Sequence, residues 1–207
     1  MNPLGLVVAA GKSTRMGGFP KPLLTFDGNR FIEGILAQYT EAGIDEQLVV
    51  LGHEAETVTN AIEWGNTSIL VNPDYESGML SSVQLGVSEA KARNCDGVFL
   101  WPTDFACVPA AIITKLMTTT AETNADVVLP AYNGERGHPA LFTESTFDDL
   151  LTAPDDEGAR AVVYDPETSV AEYQTDDPRV LVDIDTPEEY WDAVKRYELG
   201  HTPSKEA

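Results

Sequence analysis

The sequence predicts an α/β domain, a mainly parallel central sheet with helices on both of its faces. Short apolar runs alternate with amphipathic segments in a βαβα rhythm along most of the chain. The first apolar run breaks into a basic, glycine-containing loop, as a strand does at its ligand-binding end. With 207 residues and 43% hydrophobic content, the chain is long and apolar enough for one substantial core and is not disordered.

Leu4 to Ala10 has the length and β-branched content of a buried parallel strand. Further strands are expected at Gln47 to Leu51, Ser68 to Val71, Gly97 to Trp101 and Asp126 to Pro130. Helical patterns lie between them, near Phe31 to Ala42, Ala55 to Trp64, Met79 to Arg93 and Pro109 to Ala121. After Pro130 the rhythm loosens. His138 to Thr143 reads as a strand, Glu144 to Leu151 as a short helix, and Val180 to Ile184 as a late strand. The run Asp185-Thr186-Pro187-Glu188-Glu189 opens a last helix, with a cap, a proline in the first turn and acids near the positive dipole end. One domain is expected over residues 1–199, followed by a polar, frayed tail at 200–207.

The formal charge of −21 argues against nucleic acid as a partner, because phosphate backbones need clustered Lys and Arg. Two cysteines, Cys95 and Cys107, make no disulfide framework, and with no secretory signal visible a cytoplasmic location is expected. No apolar segment approaches the roughly 20 residues that span a membrane.

Against that acidity, Lys12, Arg15 and Lys21 stand close together in one loop, with Gly11, Ser13, Thr14, Gly17 and Gly18. Glycines let backbone N–H groups approach an anion, and the cations supply charge, so the loop suits a polyphosphate. The plainer alternative is a solvated loop that is basic by chance, and Lys12 in particular reads equally well as surface charge. Gly11-Lys12-Ser13 ends like a P-loop, but the first glycine of that motif would fall on Leu6, and Pro20 and Pro22 follow where its helix should run. Ala9, Ala10 and Gly11 leave room for backbone contacts to a base. Two more loops fall at the same end of the sheet, Pro102-Thr103-Asp104 and Asp183-Ile184-Asp185. A lone carboxylate closing an apolar strand, as Asp104 does, is costly unless it is solvated or holds a cation; otherwise it caps the helix starting near Val108. Asp185 is well placed to cap the last helix. An acidic protein that binds a triphosphate also needs a divalent metal.

These loops closely match a known family. Val8-Ala9-Ala10-Gly11-Lys12-Ser13-Thr14-Arg15-Met16-Gly17 with Lys21-Pro22-Leu23-Leu24 resembles the L-A-A-G-x-S-x-R-M-G and K-x-L-L opening of the molybdenum-cofactor nucleotidyltransferases, most closely their cytidylyltransferase branch. Asn72 to Val83 resembles the N-P-x-x-x-x-G-M-x-x-S segment. Gly134 to Phe142 (GERGHPALF), Asp156 to Arg160 (DEGAR) and Val182 to Tyr190 (VDIDTPEEY) resemble the later motifs. Phe105-Ala106 follow Asp104 where the family usually has a proline two residues on, and Asp155 stands where the pattern has glycine.

The resemblance implies a Rossmann-like three-layer α/β/α nucleotidyltransferase fold and a Mg²⁺-dependent transfer of CMP from CTP to molybdopterin, with release of pyrophosphate. Arg15 resembles the arginine that grips the β- and γ-phosphates, and Lys21 the lysine near the α-phosphate and acceptor phosphate. Asp104 resembles a metal ligand, and Asp183, ahead of Asp185, a second one. Ala9, Ala10, Gly11, Ser13, Arg15, Lys21 and Ser82 then bind nucleotide, with Ser82 resembling a base-contacting serine. His138, Arg160 and Asp185 are candidates for the acceptor, and a protein partner that receives the finished cofactor is also implied. Two other readings stay open: the same chemistry on another phosphorylated acceptor such as a sugar 1-phosphate or alditol phosphate, and a non-catalytic nucleotide-sensing domain.

Overall fold

The computed structural model describes residues 1–198. The tail expected at 200–207 lies outside the described residues. β1 (Pro3–Ala9) is buried along its whole length, as its apolar run requires. Two short strands, β2 (Thr25–Phe26) and β3 (Asn29–Arg30), lead into α1 (Phe31–Glu41). Then come β4 (Gln47–Leu51), α2 (Ala55–Ala61), β5 (Ser68–Val71), α3 (Met79–Ala92), β6 (Gly97–Pro102) and α4 (Ala110–Thr123). The second half holds β7 (Val127–Tyr132), β8 (Glu135–Arg136), β9 (Ala140–Thr143), α5 (Phe147–Thr152), α6 (Arg160–Tyr164), β10 (Val170–Gln174) and α7 (Pro187–Ala193).

The main sheet runs β10-β7-β9-β6-β1-β4-β5, with β8 paired to β7. β1 pairs in parallel with both β4 and β6, and β5 and β10 also join in parallel; β9 runs antiparallel to β6 and β7. The chain builds outward from β1 to β4 and β5, then crosses to β6 on the other side. The strand order therefore reverses beside β1, and a crevice opens there at the carboxyl ends of the strands.

Alternation along β1 divides the core in two. Val7 and Ala9 join Ile32, Ile35, Tyr39, Trp101, Ile112 and Leu116 beneath α1 and α4. Leu4, Leu6 and Val8 join Val83, Val87, Phe142, Phe147 and Leu150 beneath α3 and α5. Tyr39 packs on the Cα of Gly5, and its buried hydroxyl donates to the Phe99 carbonyl at 3.0 Å. Burial in this apolar layer raises the phenol pKa well above its ordinary value. Cys95 and Cys107 lie buried in different clusters.

Three expectations change. Val180 to Ile184 is not a strand: Pro178–Leu181 makes a 3₁₀ turn, and the following backbone bonds to loops, Ile184 N–H to the Asp104 carbonyl at 3.1 Å. The late parallel strand is β10 instead, unforeseen at the sheet edge. The second helix stops at Ala61, and Trp64 lies beyond it with its indole N–H on the Thr59 carbonyl. The last helix is capped by Thr186 and not by Asp185; Thr186 and Glu189 form a reciprocal capping box.

Gly137 connects β8 to the segment before α7. A Cβ there would collide with the Val180 carbonyl oxygen, and the next amide, His138 N–H, donates to that same oxygen at 2.9 Å. Gly137→Ala is therefore expected to destabilise the fold by about 1–3 kcal/mol, since backbone must shift. Urea unfolding measures this, and an unchanged midpoint would show that the two segments are not tightly seated.

Candidate active site

Three backbone devices bring the loops at the crevice together. Ser13 sits in the left-handed region at φ 50°, and its hydroxyl accepts the Lys21 N–H at 3.1 Å, which closes the loop after β1. Thr103 donates from both its amide and its hydroxyl to the Val8 carbonyl, at 3.1 and 2.8 Å, which pins the end of β6 to β1. The bond from Ile184 N–H to the Asp104 carbonyl then draws in the segment before α7.

The result is a charged cluster. The Lys21 ammonium lies 2.7 Å from Asp185 Oδ1 and 3.6 Å from Asp104 Oδ2, and the Arg15 guanidinium lies 2.6 Å from Asp185 Oδ2. Lys21 is only 12% exposed at its side chain, whereas Arg15 is 67% exposed. Asp104, Asp183 and Asp185 each offer an oxygen within 4.8 Å of the others. Asp104 Oδ1 is buried without a hydrogen-bond partner. An unpaired buried carboxylate oxygen is costly, and this one points to a cation as its natural partner. Three hard oxygen donors of this kind fit a divalent ion such as Mg²⁺ or Mn²⁺.

The acids feel one another. Burial raises the Asp104 carboxyl pKa, with Lys21 opposing. Asp183 is pushed up to about 6, by burial first and then by the charges of Asp104 and Asp185, with Lys21 again opposing.

Beside the cluster lies a cavity of about 350 Å³. Ala9, Ala10, Gly11, Ser13, Arg15, Lys21, Ser82, Asp104 and Asp185 all line it. The residues expected to bind nucleotide therefore converge on one space. Asp183 stands at the edge of the cluster and is exposed; Asp185 reaches the two cations. Asp104 caps no helix, since α4 begins after Pro109 and its first amide bonds to Gln38. Lys12 pairs with Glu76 at 2.5 Å on the surface, although it also lines the cavity.

His138 and Arg160 do not line this cavity. His138 packs against Phe105 with ring centroids 4.5 Å apart and the rings tilted. Burial lowers its pKa to about 4; a hydrogen bond to the Leu100 carbonyl opposes this, and the Arg160 charge adds to it. The ring is thus neutral near pH 7, with Nδ1 buried and unpartnered. Arg160 begins α6 and is exposed. Residues 5–172 match the model of the MobA-like NTP transferase domain.

The chain belongs to the MobA-like NTP transferase family.

It is therefore a nucleotidyltransferase. It is 26% identical over 194 residues to the molybdenum cofactor cytidylyltransferase of Escherichia coli, covering 93% of this chain and 95% of that one. It is 29% identical over 205 residues to the purine catabolism protein PucB of Bacillus subtilis, covering 93% and 96%. Among solved structures, Rv0371c of Mycobacterium tuberculosis superposes with a TM-score of 0.84 at 26% identity, covering 95% of this chain and 98% of that one. A complex of Rv0371c with manganese superposes with a TM-score of 0.79. The three-layer sheet is the nucleotidyltransferase fold of this family.

Asn72, Tyr75 and Thr103 were not singled out by sequence reasoning, yet Tyr75 and Thr103 line the cavity and Asn72 holds Ser82 from behind. The Asn-Pro pair directly after an apolar strand was the available signal for Asn72.

Chelated protein gives a test of the acid cluster. The folded pKa of Asp183 lies above the unfolded value of about 3.9, so folding binds a proton between those values. Stability is then lost as pH rises from about 4 through about 6 and stays lost above it. Asp183→Asn is expected to raise Tm at pH 7.5 and not at pH 4. Mg²⁺ or Mn²⁺ is expected to raise the wild-type Tm at pH 7.5 and to have no effect on Asp104→Asn. A drop in Tm for Asp183→Asn at pH 7.5, or an equal metal response in Asp104→Asn, would contradict this electrostatic reading.

Proposed function

We propose that this protein transfers CMP from CTP to the phosphate of molybdopterin and releases pyrophosphate. The observation that carries the reading is the Lys21–Asp104–Asp185–Arg15 cluster at the mouth of a cavity lined by Ala9, Ala10, Gly11 and Ser82. A phosphate oxygen of the acceptor attacks the α-phosphorus, the bond from it to the bridging oxygen breaks, and pyrophosphate carries the charge away. Arg15, on an exposed loop, suits the β- and γ-phosphates through its bidentate fork. Lys21, held near Asp104, suits the α-phosphate and the incoming acceptor oxygen, where negative charge builds up. Asp104 and Asp183, joined by Asp185, would hold Mg²⁺, which supplies charge neutralisation and orientation to the phosphates. Asp185 binds both cations, so triphosphate binding exchanges its carboxylate for phosphate oxygens at Arg15 and Lys21.

The base slot favours a pyrimidine. Guanylyl-transferring relatives resemble A-G-G or G-G-G where this chain has Ala9-Ala10-Gly11. Ala10 lines the cavity and is backed by Gly52, where a Cβ would come within 2.8 Å of the Ala10 Cβ. The Ala10 methyl takes up space beside the cavity that a glycine there would leave free for a larger base.

CTP is accordingly expected to outcompete GTP at equal concentration by about tenfold to two-hundredfold, as discrimination by single contacts allows. Equal incorporation or a GTP preference would sink the cytidylyl assignment. Turnover of CTP with a sugar 1-phosphate and none with molybdopterin would move the acceptor and keep the chemistry. Asp104→Ala is expected to lower kcat by about 10² or more. Arg15→Ala should mainly raise the KM for the triphosphate, and Lys21→Ala should mainly lower kcat. Wild-type kinetics in all three variants would return the cluster to a surface ion network.

A further inference from the structure

We infer that Asn72 is a positioning residue that fixes the hydrogen-bond polarity of Ser82, so that Ser82 offers the base a donor and never an acceptor. This rests on the cytidylyl reading above and adds the feature by which the slot tells cytosine from uracil.

The assignment follows from counting protons. Asn72 directly follows β5 and is 3% exposed; its own amide N–H continues the sheet pattern by donating to the Leu51 carbonyl at 2.8 Å. The side-chain Oδ1 accepts the Asp74 N–H at 2.9 Å. A backbone N–H can only donate, so this contact settles which end of the amide is oxygen. The other end has two hydrogens and two neighbours, Ser81 Oγ at 2.8 Å and Ser82 Oγ at 2.9 Å. Both serine oxygens are therefore acceptors towards Asn72.

Each hydroxyl proton must then go elsewhere. Ser81 has an acceptor in the Gly78 carbonyl at 2.8 Å, with the Asp74 carbonyl further off at 3.3 Å. Ser82 has no partner but Asn72 among the described residues. It is fully shielded from bulk solvent, yet it lines the cavity beside Ala9, Ala10 and Met79. Its proton is left for whatever fills the cavity. Ordinarily a serine rotates and serves as donor or acceptor as required. Here one rigid amide removes that freedom before the ligand arrives.

A donor with fixed polarity selects a base edge made of acceptors. Cytosine has acceptors at O2 and at N3. Uracil keeps O2 but carries a hydrogen on N3, which would face the Ser82 hydrogen. With the Ser82 hydroxyl directed at N3, the contact attracts cytosine and repels uracil, and the triphosphates of the two are identical.

Asn72→Asp reverses the device without changing its shape. The carboxylate still accepts the Asp74 N–H, but it now takes the Ser82 proton, and Ser82 turns its lone pairs to the cavity. Equilibrium binding of CTP and UTP with Mg²⁺ and no acceptor reads the effect. Because both ligands carry the same charge, the added carboxylate cancels in their ratio. Wild-type protein is expected to prefer CTP, and Asn72→Asp to lower the CTP:UTP ratio at least tenfold. Ser82→Ala is expected to bring the ratio to about one, and adding Asn72→Asp in that background should leave it within about twofold.

A folded Asn72→Asp protein that keeps the wild-type CTP:UTP ratio overturns the inference while leaving CTP as the donor. So does a folded Ser82→Ala protein that keeps it, and this second variant carries the test if Asn72→Asp does not fold. Wild-type protein that binds GTP and not CTP overturns both this inference and the cytidylyl reading.

Discussion

The three loops at the crevice converge on one nearly buried ammonium. Lys21 stands between Asp185 and Asp104 in a chain whose formal charge is −21. A charge withdrawn from water needs partners close by, and here Lys21 and its two partners come from three separate loops. Those loops follow β1, follow β6 and precede α7, so the ion pairs and the backbone bonds from Ser13, Thr103 and Ile184 act on the same junction. The cluster is overfilled with negative charge. Lys21 and Arg15 face three carboxylates, and one oxygen of Asp104 has no hydrogen-bond partner. That imbalance is what makes the cluster suited to a divalent cation.

The sheet makes this junction possible. A strand buried on both faces and paired on both sides holds the loop that follows it firmly, and β1 is such a strand. Polar groups are concentrated where it stops. The basic loop, the three acids and the cavity therefore share one rim of the sheet, where strand order reverses. The base side of the rim is stiffened separately, by the buried amide of Asn72 against two serines.

Sequence patterns disclosed most of this. Strands β1, β4, β5, β6 and β7 and the helices between them follow from apolar periodicity; β1, β4, β6 and β7 are buried along nearly all their length, and β5 is half-exposed at the sheet edge. Residue chemistry and ordered motifs pointed to Ala9, Ala10, Gly11, Ser13, Arg15, Lys21, Ser82 and Asp104, and the fold gathers these residues around one cavity. The second half was harder. Val180 and Ile184 are fully buried and read as a strand, but their segment bonds to loops, and apolar spacing cannot show where backbone bonds go. β10 carries Glu172 and Gln174 on a half-exposed edge, so its sequence lacks a strand signal. Asp185 looked like a cap because Asp and Thr are both good caps; only the fold shows Thr186 taking that role and freeing Asp185 for Lys21 and Arg15. Asn72 was legible as part of the Asn-Pro motif but not in its role, which lies in partners nine and ten residues away in sequence.

The central claim is that the cluster directs attack at the α-phosphorus of the nucleotide. The most direct measurement follows phosphorus label placed at the α- or γ-position of CTP, in parallel reactions with Mg²⁺ and molybdopterin. The expected result is that the α-label moves to the acceptor while the γ-label leaves as pyrophosphate, in equal amounts. Release of the γ-label as orthophosphate, or its appearance on the acceptor, would contradict the account.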